Sequence, residues 1–389
     1  MDHNFKWLVA ACLSLVSATI VAAHAQQEST SPTCAADEKK DESIDFERAR
    51  KLMKRRQGGE KLTADEDACL KRAMEARRKG APQSDGQQQA NRTPRETAGL
   101  KPLTEMTADD RYQSQDGGLY GDGENSPPEG HVRAAEQELS CIQPLDRDGE
   151  PAADGWIVFV SISMSNATQE FSRFKRIADA DSEKSETLTI VDCAQGGLAM
   201  AEWVAPDAQS WTVAAQRLST ARVSPQQVQV AWIKLANKGP RGDLEEHGRK
   251  LQRDTLAVIQ NAKDRFPNLR IAYLSSRIYG GYATNNLNPE PYAYESAFPA
   301  QWLIQDQING EPALKFDAEK GDVKAPLLLW GPYLWADGTT PRESDKLVYT
   351  RSDLADDGTH SSEAGRDKVA RLMLDVFKTN PLAKPWFAR

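Results

Sequence analysis

Apolar residues along this chain change their spacing near residue 155. From there on, short apolar runs of the kind that buried strands show are separated by longer stretches with helical spacing. The runs cover residues 155–162, 188–191, 228–233 and 269–274, and the clearest helical pattern covers 243–266. Strands that alternate with helices predict βαβ units and a mostly parallel sheet.

A different pattern precedes this region. Residues 38–80, within a predicted unit that covers 34–80, are charged, and their apolar positions recur at helical spacing on either side of the pair Gly58-Gly59. Thr63, followed three residues later by Glu66, is typical of a capping box at the start of a second helix. The segment therefore predicts a small helical hairpin with a spacer or interaction role. The inward positions would be Phe46, Ala49, Leu52, Met53, Leu70, Ala73 and Met74.

Composition then predicts the domain boundaries. Residues 81–104 include a stretch rich in Gln, Pro, Ser and Asn, which favours a linker. The main domain would cover 105–389, entered through an ordered, Gly- and Pro-rich loop at 105–135.

The first 25 residues have the features of a secretory signal. Lys6 precedes an apolar run over residues 7–16, and Ala23-His24-Ala25 has the small-x-small form of a cleavage site. Cleavage after Ala25 would give a secreted or periplasmic protein. A lipoprotein that uses Cys12 is the alternative, and no other segment resembles a membrane span.

Four cysteines would remain after cleavage: Cys34, Cys69, Cys141 and Cys193. An even number in an exported protein predicts two disulfides, for which three pairings exist. We favour Cys34–Cys69 and Cys141–Cys193, because each pair then stays within one segment. Four free thiols are the alternative.

Charge and motif content exclude several classes of function. The chain has 389 residues, 27% of them charged, and a net charge of −8, which argues against nucleic acid as the main partner. No His/Cys cluster has metal-binding spacing, and no glycine motif resembles a phosphate-binding loop. We therefore expect neither a metal nor a cofactor.

Histidine is scarce, and one histidine has a suggestive neighbour. Two of the five, His3 and His24, lie in the predicted signal peptide. Asp357 precedes His360 by three residues, so its carboxylate could hold one ring nitrogen and leave the other free to take a proton. The alternative is a plain Asp-Gly turn, with Thr359 or Ser361 capping the helix that follows.

Each of the first three predicted strands ends near a residue that could serve catalysis. Ser165 follows the first strand, where it could be a nucleophile or simply a helix cap; Ser161 and Ser163 are its rivals. Gly196-Gly197 follows the second strand and could present backbone N–H groups. Asn237 follows the third and could donate its amide to an oxyanion.

This order of Ser, Gly, Asn and Asp-x-x-His resembles the SGNH (GDSL-like) hydrolase family over roughly residues 150–380. The resemblance implies a flavodoxin-like three-layer α/β/α sandwich. It also implies that Ser165 is the nucleophile, that His360 is the base and that Asp357 orients it. The oxyanion donors would be the N–H of Ser165, an N–H of Gly196 or Gly197, and the Asn237 side chain.

Two blocks depart from the family pattern. Ser163-Met164-Ser165 stands where Gly-Asp-Ser is usual, and Leu235-Ala236-Asn237 lacks the usual glycine. Family members that act on acetylated sugars vary in the same blocks. By analogy this favours an exported serine esterase that hydrolyses acyl esters of carbohydrate, acetyl esters in the first place, with a small-molecule or polysaccharide ester as substrate. The alternatives are a non-catalytic carbohydrate-binding protein on this fold, and a lipid esterase or thioesterase.

Aromatic residues are concentrated in two segments before the Asp-x-x-His block, at 276–295 and 329–335. Exposed rings near a catalytic edge would stack on sugars. The alternative is that they cover the core beneath a large loop.

Overall fold

The computed structural model describes residues 46–57, 62–80 and 100–389. These residues fall into two compact units, the N-terminal helix pair and the part from residue 100 onward. The predicted signal peptide (1–25), Cys34 and most of the predicted linker lie outside the described residues. In the part of the chain that is described, no helix has the length and apolar character needed to cross a membrane.

The N-terminal unit is a pair of helices, α1 (Phe46–Gln57) and α2 (Ala64–Gly80). Their facing sides bury Ala49, Leu52, Leu70 and Ala73, in agreement with the predicted inward positions. The capping box is present, since the Thr63 N–H donates to Glu66 Oε2 at 2.9 Å and the Glu66 N–H donates to Thr63 Oγ1 at 3.3 Å.

The main unit is built on a five-stranded parallel sheet in the order β4-β3-β5-β6-β7. The order 2-1-3-4-5 is that of flavodoxin-like folds, so the predicted α/β class is confirmed. A small antiparallel pair precedes the sheet. The strands are β1 (Arg111–Tyr112), β2 (Gln115–Asp116), β3 (Ile157–Ile162), β4 (Leu188–Asp192), β5 (Val228–Lys234), β6 (Ile271–Ser275) and β7 (Leu327–Trp330).

Helices cover both faces of the sheet. The crossover from β3 to β4 runs in the opposite direction to those from β5 to β6 and from β6 to β7, so right-handed connections place their helices on opposite faces. Two helices that lie far apart in the sequence, α4 (Ser165–Asp179) and α9 (Glu363–Thr379), pack against each other. The helices of this unit are α3 (Glu129–Ser140), α4 (Ser165–Asp179), α5 (Gln209–Thr220), α6 (Leu244–Arg265), α7 (Tyr292–Glu295), α8 (Ala297–Ile308), α9 (Glu363–Thr379) and α10 (Lys384–Phe387).

The core lies on both sides of the sheet. All residues of β3, β5, β6 and β7 are buried, which explains the near-continuous apolar runs in the sequence. On the α4/α9 face, the Phe159 ring lies 5.1 Å from that of Phe377 and 5.0 Å from that of Trp386, both edge-on. Such contacts fix the two helices relative to the strands beneath them.

The aromatic segments cover the core and are not exposed for sugar stacking. Leu329 and Trp330 belong to β7, a strand that the sequence did not predict. The remaining large rings of these segments are buried, with the exception of the half-buried Tyr282; they are Tyr279, Tyr292, Tyr294, Tyr333 and Trp335. The expectation of exposed stacking platforms is therefore wrong for these residues, and the alternative holds.

The predicted Cys141–Cys193 disulfide is also wrong. Both thiols are free, as is that of Cys69, while Cys34 lies outside the described residues. Cys141 follows α3 close to the amino end of β5, where the Gln143 N–H bonds to Gln229 Oε1. Cys193 follows the carboxyl end of β4, so the two cysteines lie at opposite edges of the sheet. Burial raises the pKa of the Cys193 thiol to about 12.

Candidate active site

Ser165 lies at the carboxyl edge of the sheet, at the start of α4. Strand β3 ends at Ile162, two residues make the turn, and the helix begins at Ser165 itself. Its side chain is half-buried. Because the first N–H groups of a helix have no partner within the helix, the Ser165 N–H is free to bind an anion.

His360 lies in a tight loop just before α9. The Ala355 N–H donates to the His360 carbonyl at 2.7 Å, and Gly358 makes the turn with φ of +62°. A Cβ at Gly358 would lie 1.8 Å from the Tyr282 carbonyl, so only glycine fits there. Ser362 caps α9 by accepting from the Gly365 N–H, not the predicted Thr359 or Ser361.

The structure brings Ser165, His360 and Asp357 together. The distance from Ser165 Oγ to His360 Nε2 is 2.8 Å, and the distance from His360 Nδ1 to Asp357 Oδ2 is 2.5 Å. The two bonds use different ring nitrogens. With the Nδ1 proton held by the carboxylate, Nε2 can accept the serine proton.

Asp357 is held as a carboxylate. Burial opposes its ionisation, but hydrogen bonds from the His360 ring, the His360 N–H (2.9 Å) and the Thr359 N–H (3.0 Å) outweigh burial, so the pKa of Asp357 is lowered. The spacing Asp-x-x-His thus serves twice. The same carboxylate accepts from the ring and from the two backbone N–H groups that shape the turn.

A buried hydrogen bond joins the serine helix to the histidine loop. Asn166, next to Ser165, donates from Nδ2 to the Thr359 carbonyl at 2.8 Å. Asn166 is 1% exposed, so this bond has no competition from water. The bond connects the residue after Ser165 to the residue before His360. It therefore constrains the distance between the Ser165 and His360 side chains.

Beneath this bond lies a buried ion pair, Lys234–Glu170, with both side chains fully inaccessible to water. The other oxygen of Glu170 accepts from the hydroxyl of Ser361, the residue after His360, at 2.9 Å. Lys234 ends β5, Glu170 lies in α4 and Ser361 in the histidine loop. Burial lowers the pKa of Lys234 to about 8, against the attraction of Glu170.

Ser163 lies in the serine turn, in a backbone conformation that favours glycine. Its φ is +156°, and its buried hydroxyl donates to the Lys234 carbonyl. Its own carbonyl accepts from the Gln195 N–H at 3.0 Å. This second bond fixes the loop after β4 against the serine turn. Ser163 and Ser161 are both fully buried, and neither is bonded to His360.

Gly196 and Gly197 are exposed in that loop, with open space in front of both. Gly197 has φ of +79°. Among the described residues, no protein group accepts from either N–H. The structure does not by itself choose between them, and both remain candidates for an oxyanion donor.

Asn237 is fixed by its neighbours on two sides. Its Nδ2 donates to Asp254 Oδ2 at 2.6 Å, and its Oδ1 accepts from the Ala201 N–H at 3.0 Å. These bonds orient the amide and occupy one of its two N–H groups, leaving the other available. The structure does not place Asn237 in a hydrogen bond with Ser165 or His360.

Sequence reasoning missed Asn166, Glu170, Lys234 and Asp254. Lys234 had a visible signal, because a charged residue ends an otherwise apolar strand. Glu170 had a weaker one, since it occurs among the buried positions of an amphipathic helix. Asp254 had no such signal, because it lies on a helix with many charged residues and nothing in the sequence distinguishes it from the other carboxylates there.

Comparisons with known proteins yield distant structural neighbours only. No family model matches the chain, and no curated protein matches it. A proposed acylhydrolase from Bacteroides fragilis is 12% identical, with a TM-score of 0.32, over 64% of this chain and 97% of its own. The periplasmic domain of a lipopolysaccharide acetyltransferase from Salmonella ser. Paratyphi A is 15% identical, with a TM-score of 0.33, over 64% and 97%. TM-scores this low carry no functional conclusion.

Proposed function

We propose that this protein is an exported serine esterase of the SGNH type that removes acyl groups, acetyl in the first place, from carbohydrate. The observation that carries the proposal is the continuous path from Ser165 Oγ through both nitrogens of His360 to Asp357. A helix cap or a plain turn needs no such path. The carbohydrate substrate rests on the family resemblance, and export on the sequence of residues 1–25.

In the first step, Ser165 Oγ attacks the ester carbonyl carbon while His360 Nε2 takes its proton. The resulting oxyanion would be bound by the Ser165 N–H, an N–H of Gly196 or Gly197, and the free N–H of Asn237. Loss of one such donor typically slows an enzyme by about a hundredfold to a thousandfold. Nε2 then gives its proton to the departing sugar oxygen, leaving Ser165 acylated.

In the second step, water attacks the acyl-serine. His360 Nε2 takes a proton from that water, and the carboxylic acid leaves as Ser165 Oγ regains a proton from Nε2. Asp357 stays ionised throughout, because its hydrogen bonds favour the carboxylate. No metal or cofactor enters either step.

The test compares the wild type with Ser165→Ala and with Ser185→Ala, a serine that is half-buried like Ser165 and lies before the amino end of β4. We expect hydrolysis of p-nitrophenyl acetate and labelling by a fluorophosphonate probe in the wild type and in Ser185→Ala. Both should be lost in Ser165→Ala. Equal rates in wild type and Ser165→Ala would refute the proposal. Absence of labelling in the wild type, with glycan binding retained, would favour the non-catalytic binding protein instead.

A further inference from the structure

A cleft of about 460 Å³ opens beside the Asn237 loop. It lies where α6 begins, next to the carboxyl end of β5, and Tyr292 forms part of its wall. Four basic residues line it: Lys238, Arg241, Lys250 and Arg253.

The cleft has an excess of positive charge although the chain as a whole carries −8. Its acidic residues are Glu202 and Glu246, and Glu202 is paired with Lys238. Lys250 is paired with Asp254 at 2.5 Å, and the lining His247 is bonded to Glu295 at 2.8 Å.

Arg241 and Arg253 remain available for an anion from outside. Both are exposed, and neither forms an ion pair with any carboxylate in the described part of the chain. A guanidinium presents planar pairs of N–H donors that match the oxygens of carboxylate and sulfate.

The 276–295 segment places this cleft close to the catalytic loop. Near its tip, the Thr284 N–H donates to the Asp357 carbonyl at 3.0 Å. Three residues later, the Leu287 carbonyl accepts from the Gly239 N–H at 3.0 Å, and Gly239 lines the cleft. Three residues span at most about 11 Å. A short oligosaccharide could therefore reach from the cleft to His360.

Tyr292 provides a second connection. Its buried phenol lies near the Arg277 guanidinium, which is also buried. Arg277 in turn donates from Nη1 to the sulfur of Met164, the residue before Ser165, at 2.8 Å. The cleft wall is thus continuous with the serine turn through two buried side chains.

We propose that this cleft binds an anionic group, carboxylate or sulfate, on a polysaccharide whose ester is held at Ser165. The position of the ester at Ser165 rests on the proposed esterase function, whereas the binding of the anion in the cleft does not. Arg241 and Arg253 hold the anion, and the positive field draws acidic glycans to a protein that otherwise repels them.

The binding test uses unesterified oligosaccharides, so it does not depend on turnover. Titration calorimetry on the full chain compares an oligogalacturonate, a sulfated dextran oligosaccharide and a neutral dextran oligosaccharide of matched length, at low and at high salt. Each exposed cation contributes modestly, so Arg241→Gln/Arg253→Gln should weaken binding of the preferred anionic glycan about tenfold. The two anionic glycans distinguish carboxylate from sulfate recognition.

The matched control is Arg371→Gln/Lys384→Gln, which removes two exposed charges elsewhere in the domain. We expect this control variant to bind the glycans like the wild type and to hydrolyse p-nitrophenyl acetate at the wild-type rate. Equal affinity of the wild type for the neutral and anionic glycans, or unchanged binding in the cleft variant, would overturn the proposal. An inactive wild type that still binds the anionic glycan would refute only the esterase function.

Discussion

Replacing Lys234 with Met removes one half of the buried Lys234–Glu170 pair and leaves the other half in place. Methionine nearly matches the lysine stem in volume, so the perturbation is chiefly one of charge. Glu170 would keep its bond from Ser361 and the attraction of the buried Arg277, but would lose the ammonium that is bonded to it at a site with no exposure to water.

The expected cost follows from that burial. Breaking a fully buried pair by removing one partner typically destabilises a protein by about 3–5 kcal/mol, because an uncompensated charge remains. At roughly 2 °C per kcal/mol for a domain of this size, the melting temperature should fall by about 6–10 °C. The displaced Glu170 would also loosen the histidine loop through Ser361, so esterase activity should fall below the transition as well.

The measurement is thermal and urea unfolding followed by circular dichroism. Lys238→Met is the matched control, because Lys238 forms an ion pair with Glu202 at the surface, and such a pair contributes about 1 kcal/mol or less. Glu170→Leu/Lys234→Met, which removes both charges, should recover part of the stability, because the buried Arg277 then loses the attraction of Glu170. A melting temperature for Lys234→Met equal to that of Lys238→Met would refute the reasoning.

Three further predictions concern the surroundings of the site. Asp254→Ala should free the Asn237 amide and lower kcat for p-nitrophenyl acetate, by less than the roughly hundredfold expected of Asn237→Ala. A larger loss in Asp254→Ala would contradict the positioning role. Ser163→Ala should destabilise the protein by roughly 1 kcal/mol more than Ser163→Gly, because glycine suits the backbone there. Urea unfolding measures the difference, and a less stable Ser163→Gly would show that the backbone is not strained. Burial raises the pKa of Glu290 to about 7, so between about pH 4.5 and 7 the folded protein keeps a proton that the unfolded chain has lost. The free energy of unfolding should therefore fall by roughly 3 kcal/mol as pH rises through that range. The melting temperature of Glu290→Gln should vary less over that range, and an identical pH dependence in both proteins would be incompatible with this assignment.

The fold class followed from the sequence because buried parallel strands carry a strong local signal. The order of blocks at the strand ends also placed Ser165 and His360 at one edge of the sheet, since carboxyl ends of parallel strands meet there. The Asp357–His360 geometry followed from spacing alone, within a single turn. In each case the information was local or was imposed by topology.

The contacts that join distant segments did not follow from the sequence. Glu170, Lys234 and Ser361 come from three separate blocks, and nothing in any one block indicates the other two. Strand β7 was missed because its last two residues were assigned to the aromatic segment 329–335. The Cys141–Cys193 pairing was wrong because it was chosen for closeness along the chain. Closeness along the chain does not show at which end of the strands a residue lies.

The Asn166–Thr359 bond has a consequence for how the protein acquires activity. It joins residues 193 positions apart, one at the start of the domain's first crossover and the other just before its last long helix. His360 follows the last strand of the sheet, so the five strands can pair before the histidine loop reaches Ser165. Under the proposed function, a chain that is folded only that far would lack a complete site. Esterase activity would therefore report completion of folding, and a chain that crosses a membrane unfolded would stay inert until α9 has packed against α4.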